Sequence, residues 1–148
     1  MQHDNQKTSA MMKKIIFILT LMAAVFAVNA GAQTLRSASN SYIGKVESDG
    51  TIRNAYNGYA GKISSDGTIR NASNSYMGKI ESDGTIRNAS NASIGRVESS
   101  GTVRNASNAY IGKVESDGTV RNASNASIGS ARGVKKTWAA VLFFFDFF

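Results

Sequence analysis

Cysteine and proline are both absent from the 148 residues, and histidine occurs once, at His3. Without cysteine there is no disulfide staple and no thiol to carry a lipid anchor. Without proline, every residue can donate to a hydrogen-bonded ladder. With its one imidazole beside the N-terminus, the rest of the chain has neither a Ser-His nor a Cys-His nucleophile pair, and it lacks most donors of a zinc site. A phosphate loop and a dinucleotide fingerprint are also missing. These absences predict a non-enzyme, with no catalytic, cofactor-binding or metal-binding residue to assign.

What is present is a period. The unit Arg104-Asn-Ala-Ser-Asn-Ala-Tyr-Ile-Gly-Lys-Val-Glu-Ser-Asp-Gly-Thr-Val120 recurs every 17 residues, with starts at Arg36, Arg53, Arg70, Arg87, Arg104 and Arg121. Its central glycine falls at Gly44, Gly61, Gly78, Gly95, Gly112 and Gly129 without an insertion. A strict period marks one supersecondary unit arrayed many times.

Within the unit, Ser48-Asp49-Gly50 separates two short apolar-polar runs. Aspartate bonds its own backbone in turns, and glycine supplies positive φ. A two-residue loop would pair Val46 with Arg53. A three-residue loop, with Gly50 left-handed in a bulge, pairs Val46 with Ile52 and Glu47 with Thr51. The second register sets apolar against apolar and is the one expected. The loop recurs at 48–50, 65–67, 82–84, 99–101 and 116–118, and the fourth copy carries Ser100 in place of aspartate. A replaceable aspartate beside an unreplaced glycine points to a backbone role. Calcium, which takes roughly 6–8 oxygens, would find one carboxylate per loop.

Between loops, the Asn-Ala-Ser-Asn segment favours a second turn, so each unit reads as a β-hairpin. Five hairpins and a terminal half-unit give about ten strands, and a meander of equal strands loses its edges by closing. Ile43 and its equivalents Ala60, Met77, Ile94, Ile111 and Ile128 are apolar, as is Val46 three residues on. That breaks strict alternation. The intervening glycine is where a bulge or a close backbone approach is expected.

Residues 1–32 read as an N-terminal extension and a signal peptide. Lys13-Lys14 is a basic start, Ile15 to Val28 an apolar core, and Ala30-Gly31-Ala32 a small-residue cleavage site. The apolar stretch falls short of the roughly 20 residues that span a bilayer. Residues 33–148 then form a single β-repeat domain, exported to the periplasm, the outer-membrane surface or beyond. Setting aside Lys7, Lys13, Lys14 and Asp4 leaves this domain fourteen basic and nine acidic residues, an excess of five positive charges.

The cations follow the period: Lys45, Lys62, Lys79, Arg96 and Lys113 form one series, and Arg53, Arg70, Arg87, Arg104 and Arg121 another. Glu47, Glu81, Glu98 and Glu115 accompany them, with Ser64 standing in for one. Such a pattern suits a solvated face of mixed sign. It also suits a basic rim facing an anionic lipid surface. Nucleic acid is not an expected partner, because the cations are not interleaved with stacking aromatics. Tyr42, Tyr59, Tyr76 and Tyr110 share one repeat position, with Ser93 and Ser127 at the others; core or rim packing is expected of them, and an aromatic girdle at a membrane interface is the other reading. The Asn-Ala-Ser sequons at Asn71, Asn88, Asn105 and Asn122 read as turn residues.

The last segment, Trp138-Ala-Ala-Val-Leu-Phe-Phe-Phe-Asp-Phe-Phe148, departs from the repeat. Its length and aromatic content suit a buried strand that closes the ring or plugs one end.

These units, together with Lys136-Thr-Trp-Ala-Ala-Val-Leu-Phe-Phe144, resemble the five-fold β-flower family of small exported bacterial proteins. The resemblance covers roughly Leu35 to Phe148. It implies an all-β, quasi-symmetric shallow barrel of about five antiparallel hairpins, arranged like petals, plus a C-terminal closing strand. A distant likeness of that fold to Tubby-type membrane-associated domains implies lipid contact by analogy. The expected role is an exported, non-catalytic module, a monomer or small oligomer, associating with envelope lipid or another anionic surface in a Gram-negative bacterium. A fibre-forming subunit, stacked as a β-solenoid or a curli-like array, is the alternative.

Overall fold

The computed structural model describes residues 33–148, so the leader expected over residues 1–32 lies outside the described residues. The odd-numbered strands are β1 (Thr34–Ser37), β3 (Thr51–Asn54), β5 (Thr68–Asn71), β7 (Thr85–Asn88), β9 (Thr102–Asn105) and β11 (Thr119–Asn122). The even-numbered ones are β2 (Tyr42–Val46), β4 (Tyr59–Ile63), β6 (Tyr76–Ile80), β8 (Ser93–Val97), β10 (Tyr110–Val114) and β12 (Ser127–Ala131). Each strand pairs antiparallel with its sequence neighbours, and β12 pairs with β1, which closes the barrel. The ring therefore holds six strand pairs where the sequence suggests five, because Thr34–Ser37 and Ser127–Ala131, the incomplete ends of the repeat, find each other.

One loop geometry serves both rims. At the glycine rim, Val46 pairs with Ile52, and the Glu47 N–H donates to the Thr51 carbonyl at 2.8 Å. Gly50 sits left-handed at φ 86°, as the three-residue loop requires. At the asparagine rim, the Asn71 N–H donates to the Ser75 carbonyl at 3.1 Å and the Asn74 N–H to the Asn71 carbonyl at 2.9 Å. Here Asn74 is the left-handed residue, at φ 62°. Asparagine is the non-glycine residue that tolerates this conformation best. The Asn71 side-chain oxygen accepts the N–H groups of Ser73 and Ser75, both at 3.0 Å, which fixes the turn.

The broken alternation is resolved by a bulge. Ile52 faces Gly61 but Arg53 faces Tyr59, so Ala60 is the extra residue, and the same shift recurs between β1 and β2, β5 and β6, and β7 and β8. The bulge thus falls on the residue before the glycine, and the glycine serves the close approach. Gly44 and Val46 face inward, with Lys45 between them on the outer wall. An apolar belt of Val46, Ile52, Ile63, Ile69 and their equivalents lines the interior.

The aromatic tail is not a strand. Lys136–Phe144 forms a helix, α1, whose Ala139, Ala140 and Val141 have no exposed surface. This corrects the expected C-terminal closing strand: β12 closes the ring and the tail fills it. The physical reason is that a closed sheet has no free edge for another strand to join. A segment inside must satisfy its own N–H and C=O groups, which a helix does. Twelve strands about 4.8 Å apart enclose a circle of at least about 9 Å radius. That accommodates a helix carrying small residues on its most enclosed turn.

Five phenylalanines finish the plug. A β-carbon added at Gly129 would lie 2.5 Å from the ring of Phe143, and one at Gly112 2.5 Å from Phe144. At Gly95 it would meet Phe145 at 2.6 Å, at Gly78 Phe147 at 2.9 Å, and at Gly61 Phe148 at 2.5 Å. Each ring therefore rests directly on the backbone of one strand pair, and successive rings walk backwards around the barrel. Asp146, which is exposed, is the spacer between Phe145 and Phe147.

Candidate functional site

With the tail inside, what remains for recognition is the outer wall and the two rims. The arginine series is committed to the fold. In all six units the arginine Nη1 donates to the carbonyl of the left-handed asparagine, at 2.9–3.3 Å, as from Arg36 to Asn40 and from Arg70 to Asn74. The glutamates pair with this series and with the lysines. Glu47 accepts from Arg53 Nε at 2.7 Å and lies 3.3 Å from Lys45 Nζ. The Arg53 hydrogen bond holds the Glu47 carboxyl below its ordinary range. Glu98 accepts from Arg104 Nε at 2.7 Å.

The loop aspartates act as turn clamps. Asp49 accepts the Thr51 N–H at 2.9 Å and the Thr51 hydroxyl at 3.0 Å, and Asp66, Asp83 and Asp117 repeat both bonds. These bonds pull Asp49 down to about 2 and lower the other three. Ser100 reproduces the arrangement weakly: its hydroxyl donates to the Thr102 hydroxyl at 3.1 Å and accepts the Thr102 N–H at 3.4 Å. Among the described residues no three His, Cys, Asp or Glu side chains converge on one point.

Two cavities of about 580 and 440 Å³ surround the entry of α1 at the glycine rim. Lys135 and Trp138 border both, with the Lys135 ammonium 4.7 Å from the Trp138 ring centre. The larger is lined by Asp66, Asp83 and Lys136 as well, so its charge is of mixed sign.

The asparagine rim is different. Tyr42, Tyr59 and Tyr76 stand on three consecutive strand pairs and are 40–42% exposed. Each lies across the ladder from an arginine: Tyr42 from Arg36, Tyr59 from Arg53, Tyr76 from Arg70. Among the described residues no carboxylate lies within ion-pair distance of Arg36 or Arg70, whereas Arg53 has Glu47. The reason at Arg70 is Ser64, where other units carry glutamate; Lys62 instead reaches Asp49 at 3.2 Å. Cation and tyrosine thus coincide on one arc, from β1 to β6. Sequence reasoning identified both series but not their overlap. It also passed over Tyr56, 95% exposed at the tip of the second asparagine loop, although every equivalent position carries serine.

A closed antiparallel barrel written by one hairpin unit and filled by its own C-terminal helix defines a non-modular repeat protein, in which no unit stands alone. The 5-fold beta-flower protein family matches residues 32–147, and the chain belongs to it. Five is the number of glycine-rim loops and of seated phenylalanines in this chain, while the strand pairs number six. No curated protein and no solved structure matches the chain.

Proposed function

We propose that this protein is an exported, non-catalytic module that associates peripherally with an anionic lipid surface through the β1–β6 arc of its outer wall. The observation that carries the reading is the pairing of half-exposed tyrosines with Arg36 and Arg70, two guanidiniums that have no carboxylate partner among the described residues. Tyrosine has an apolar body and a polar tip and favours the headgroup level of a bilayer. A basic side chain near an anionic surface adds about 1 kcal/mol of attraction. The excess of five positive charges on residues 33–148 acts in the same direction. The phenylalanines take no part, because the plug uses them, so the association rests on the wall instead of an inserted tail. The fibre reading finds no support here: the closed ring leaves no strand edge among the described residues to template an array.

The test is co-sedimentation of the protein, recovered in its final form from expressing cells, with phosphatidylglycerol-containing vesicles and with phosphatidylcholine vesicles. Pelleting with the anionic vesicles alone, reversed by salt and weakened in an Arg36→Gln, Arg70→Gln variant, is expected. Equal recovery in the supernatant with both vesicle types would sink the proposal.

A further inference from the structure

The six units are an internal comparison set, and one of them is out of line. Residues 54–64 differ from the other copies at four places. Tyr56 stands where the others have Ser39, Ser73, Ser90, Ser107 and Ser124. Gly58 replaces serine or alanine, Ala60 replaces isoleucine or methionine, and Ser64 replaces glutamate in all other glycine-rim hairpins.

None of the four is required by the fold. The Tyr56 N–H donates to the Asn54 side-chain oxygen at 3.0 Å, the same bond that Ser73 and Ser90 make in their loops. The loop is therefore built identically whether tyrosine or serine is present, and the phenol projects into solvent. Ala60 precedes Gly61, the seat of Phe148, and that ring is 46% exposed. By contrast Phe147, seated on Gly78 beside Met77, is 5% exposed. Ser64 removes the acid that would otherwise neutralise Arg70. The guanidinium of Arg70 spends one donor on Asn74 and keeps the rest available.

Three of the departures, Tyr56, Gly58 and Ser64, change the outer surface in one direction, while Ala60 stays partly buried against the core. The three add exposed aromatic area, remove bulk from the loop flank and uncover a cation. We infer that the second unit is the membrane anchor of this otherwise repetitive ring, with Tyr56 entering the headgroup layer and Arg70 meeting a lipid phosphate. The inference rests on the anionic-surface reading above and narrows it from an arc to one unit. A second copy of the chain is the poorer occupant, since two such faces would bring like charges together.

The experiment compares Tyr56→Ser and Ser64→Glu, each of which restores the residue carried by the other units, with Tyr110→Ser on the far side of the ring. Serine is tolerated at that position in two other units, so all three variants are expected to fold, and near-ultraviolet circular dichroism checks this. With phosphatidylglycerol-containing vesicles, Ser64→Glu should lower the partition coefficient about fivefold, the worth of one surface cation. Tyr56→Ser should lower it severalfold and Tyr110→Ser should not change it. If the unaltered protein binds and all three variants bind equally, the single-unit anchor is overturned while the broader reading stands. If the unaltered protein binds no vesicle, both fall. If it forms a lipid-free dimer that Tyr56→Ser dissolves, the occupant is a second copy and the lipid anchor is refuted.

Discussion

The wall of this barrel is written six times over in a 17-residue unit, whereas the segment that fills it, Lys136–Phe148, is written once. In the wall each unit repeats the same bonds: an asparagine-rim loop, an arginine donating to it, an inward apolar pair. Drift is tolerated there, as Ser100 shows. In the plug no residue has a duplicate, and each phenylalanine answers to one glycine. Repetition makes the wall forgiving, and uniqueness makes the plug exacting.

The largest break in that comparison is truncation after Leu142. Removing a buried phenylalanine costs about 3 kcal/mol or more. Phe147 is buried and Phe143, Phe144 and Phe145 are partly so, and their combined loss approaches the roughly 5–15 kcal/mol by which whole domains are stable. The truncated chain should lose its cooperative thermal transition and bind a hydrophobic dye. A finer version sets Phe147→Ala, at the buried ring, against Phe148→Ala at the half-exposed end. Urea unfolding should show a loss of about 3 kcal/mol for the first and about 1 kcal/mol for the second. Equal losses would mean that the rings are not individually seated.

Within the wall, the two rims can be contrasted. Gly67 has φ 87°, and a side chain there would run into the Ile80 carbonyl, so Gly67→Ala should cost more than about 1–2 kcal/mol in denaturant unfolding. Asn74→Gly, at an equally left-handed position that already holds a side chain, should change stability by less than about 0.5 kcal/mol.

The smallest effect is electrostatic. Asp49, Asp66, Asp83 and Asp117 are held below their ordinary value of 3.8 in the fold by their threonines. A carboxyl lowered by folding contributes stability that is complete above its unfolded value and is lost as protons bind the folded form. The melting temperature should therefore hold near neutrality and fall from about pH 4 toward about pH 2. Ser100→Asp, which adds a fifth clamp, should raise the neutral-pH midpoint slightly and steepen the acid loss. A flat profile through that window would remove the clamps from the account.

The wall was legible because its signals agree locally. Asp49-Gly50 flanked by Val46 and Ile52 leaves one register that matches apolar with apolar, and the structure uses it. The bulge was legible as a conflict, since Ile43 and Val46 cannot share a face of a regular strand, although its position on Ala60 and its equivalents was not. The tail's place as a plug was one of the two expected, but its form was misread because phenylalanine-rich segments suit strands when an edge is available to join. That condition is topological and depends on β1 meeting β12, a pairing between residues at opposite ends of the domain. The pairing of rings with glycines was equally hidden, since neither partner signals the other in sequence. Tyr56 was in plain view, but its meaning depends on seeing that the loop closes the same way without it.

Tandem repeats readily gain or lose whole units when their genes recombine, and nothing in a hairpin that pairs with its own copies limits how many may join. The rings of the phenylalanine tail are set at intervals that match the glycines of one particular ring, and Asp146 marks the step between the third and the fourth. The plug thus takes five of the six inward glycines in strict order and leaves Gly44 as the one seat without a ring, so a unique segment gives direction to an otherwise repetitive wall.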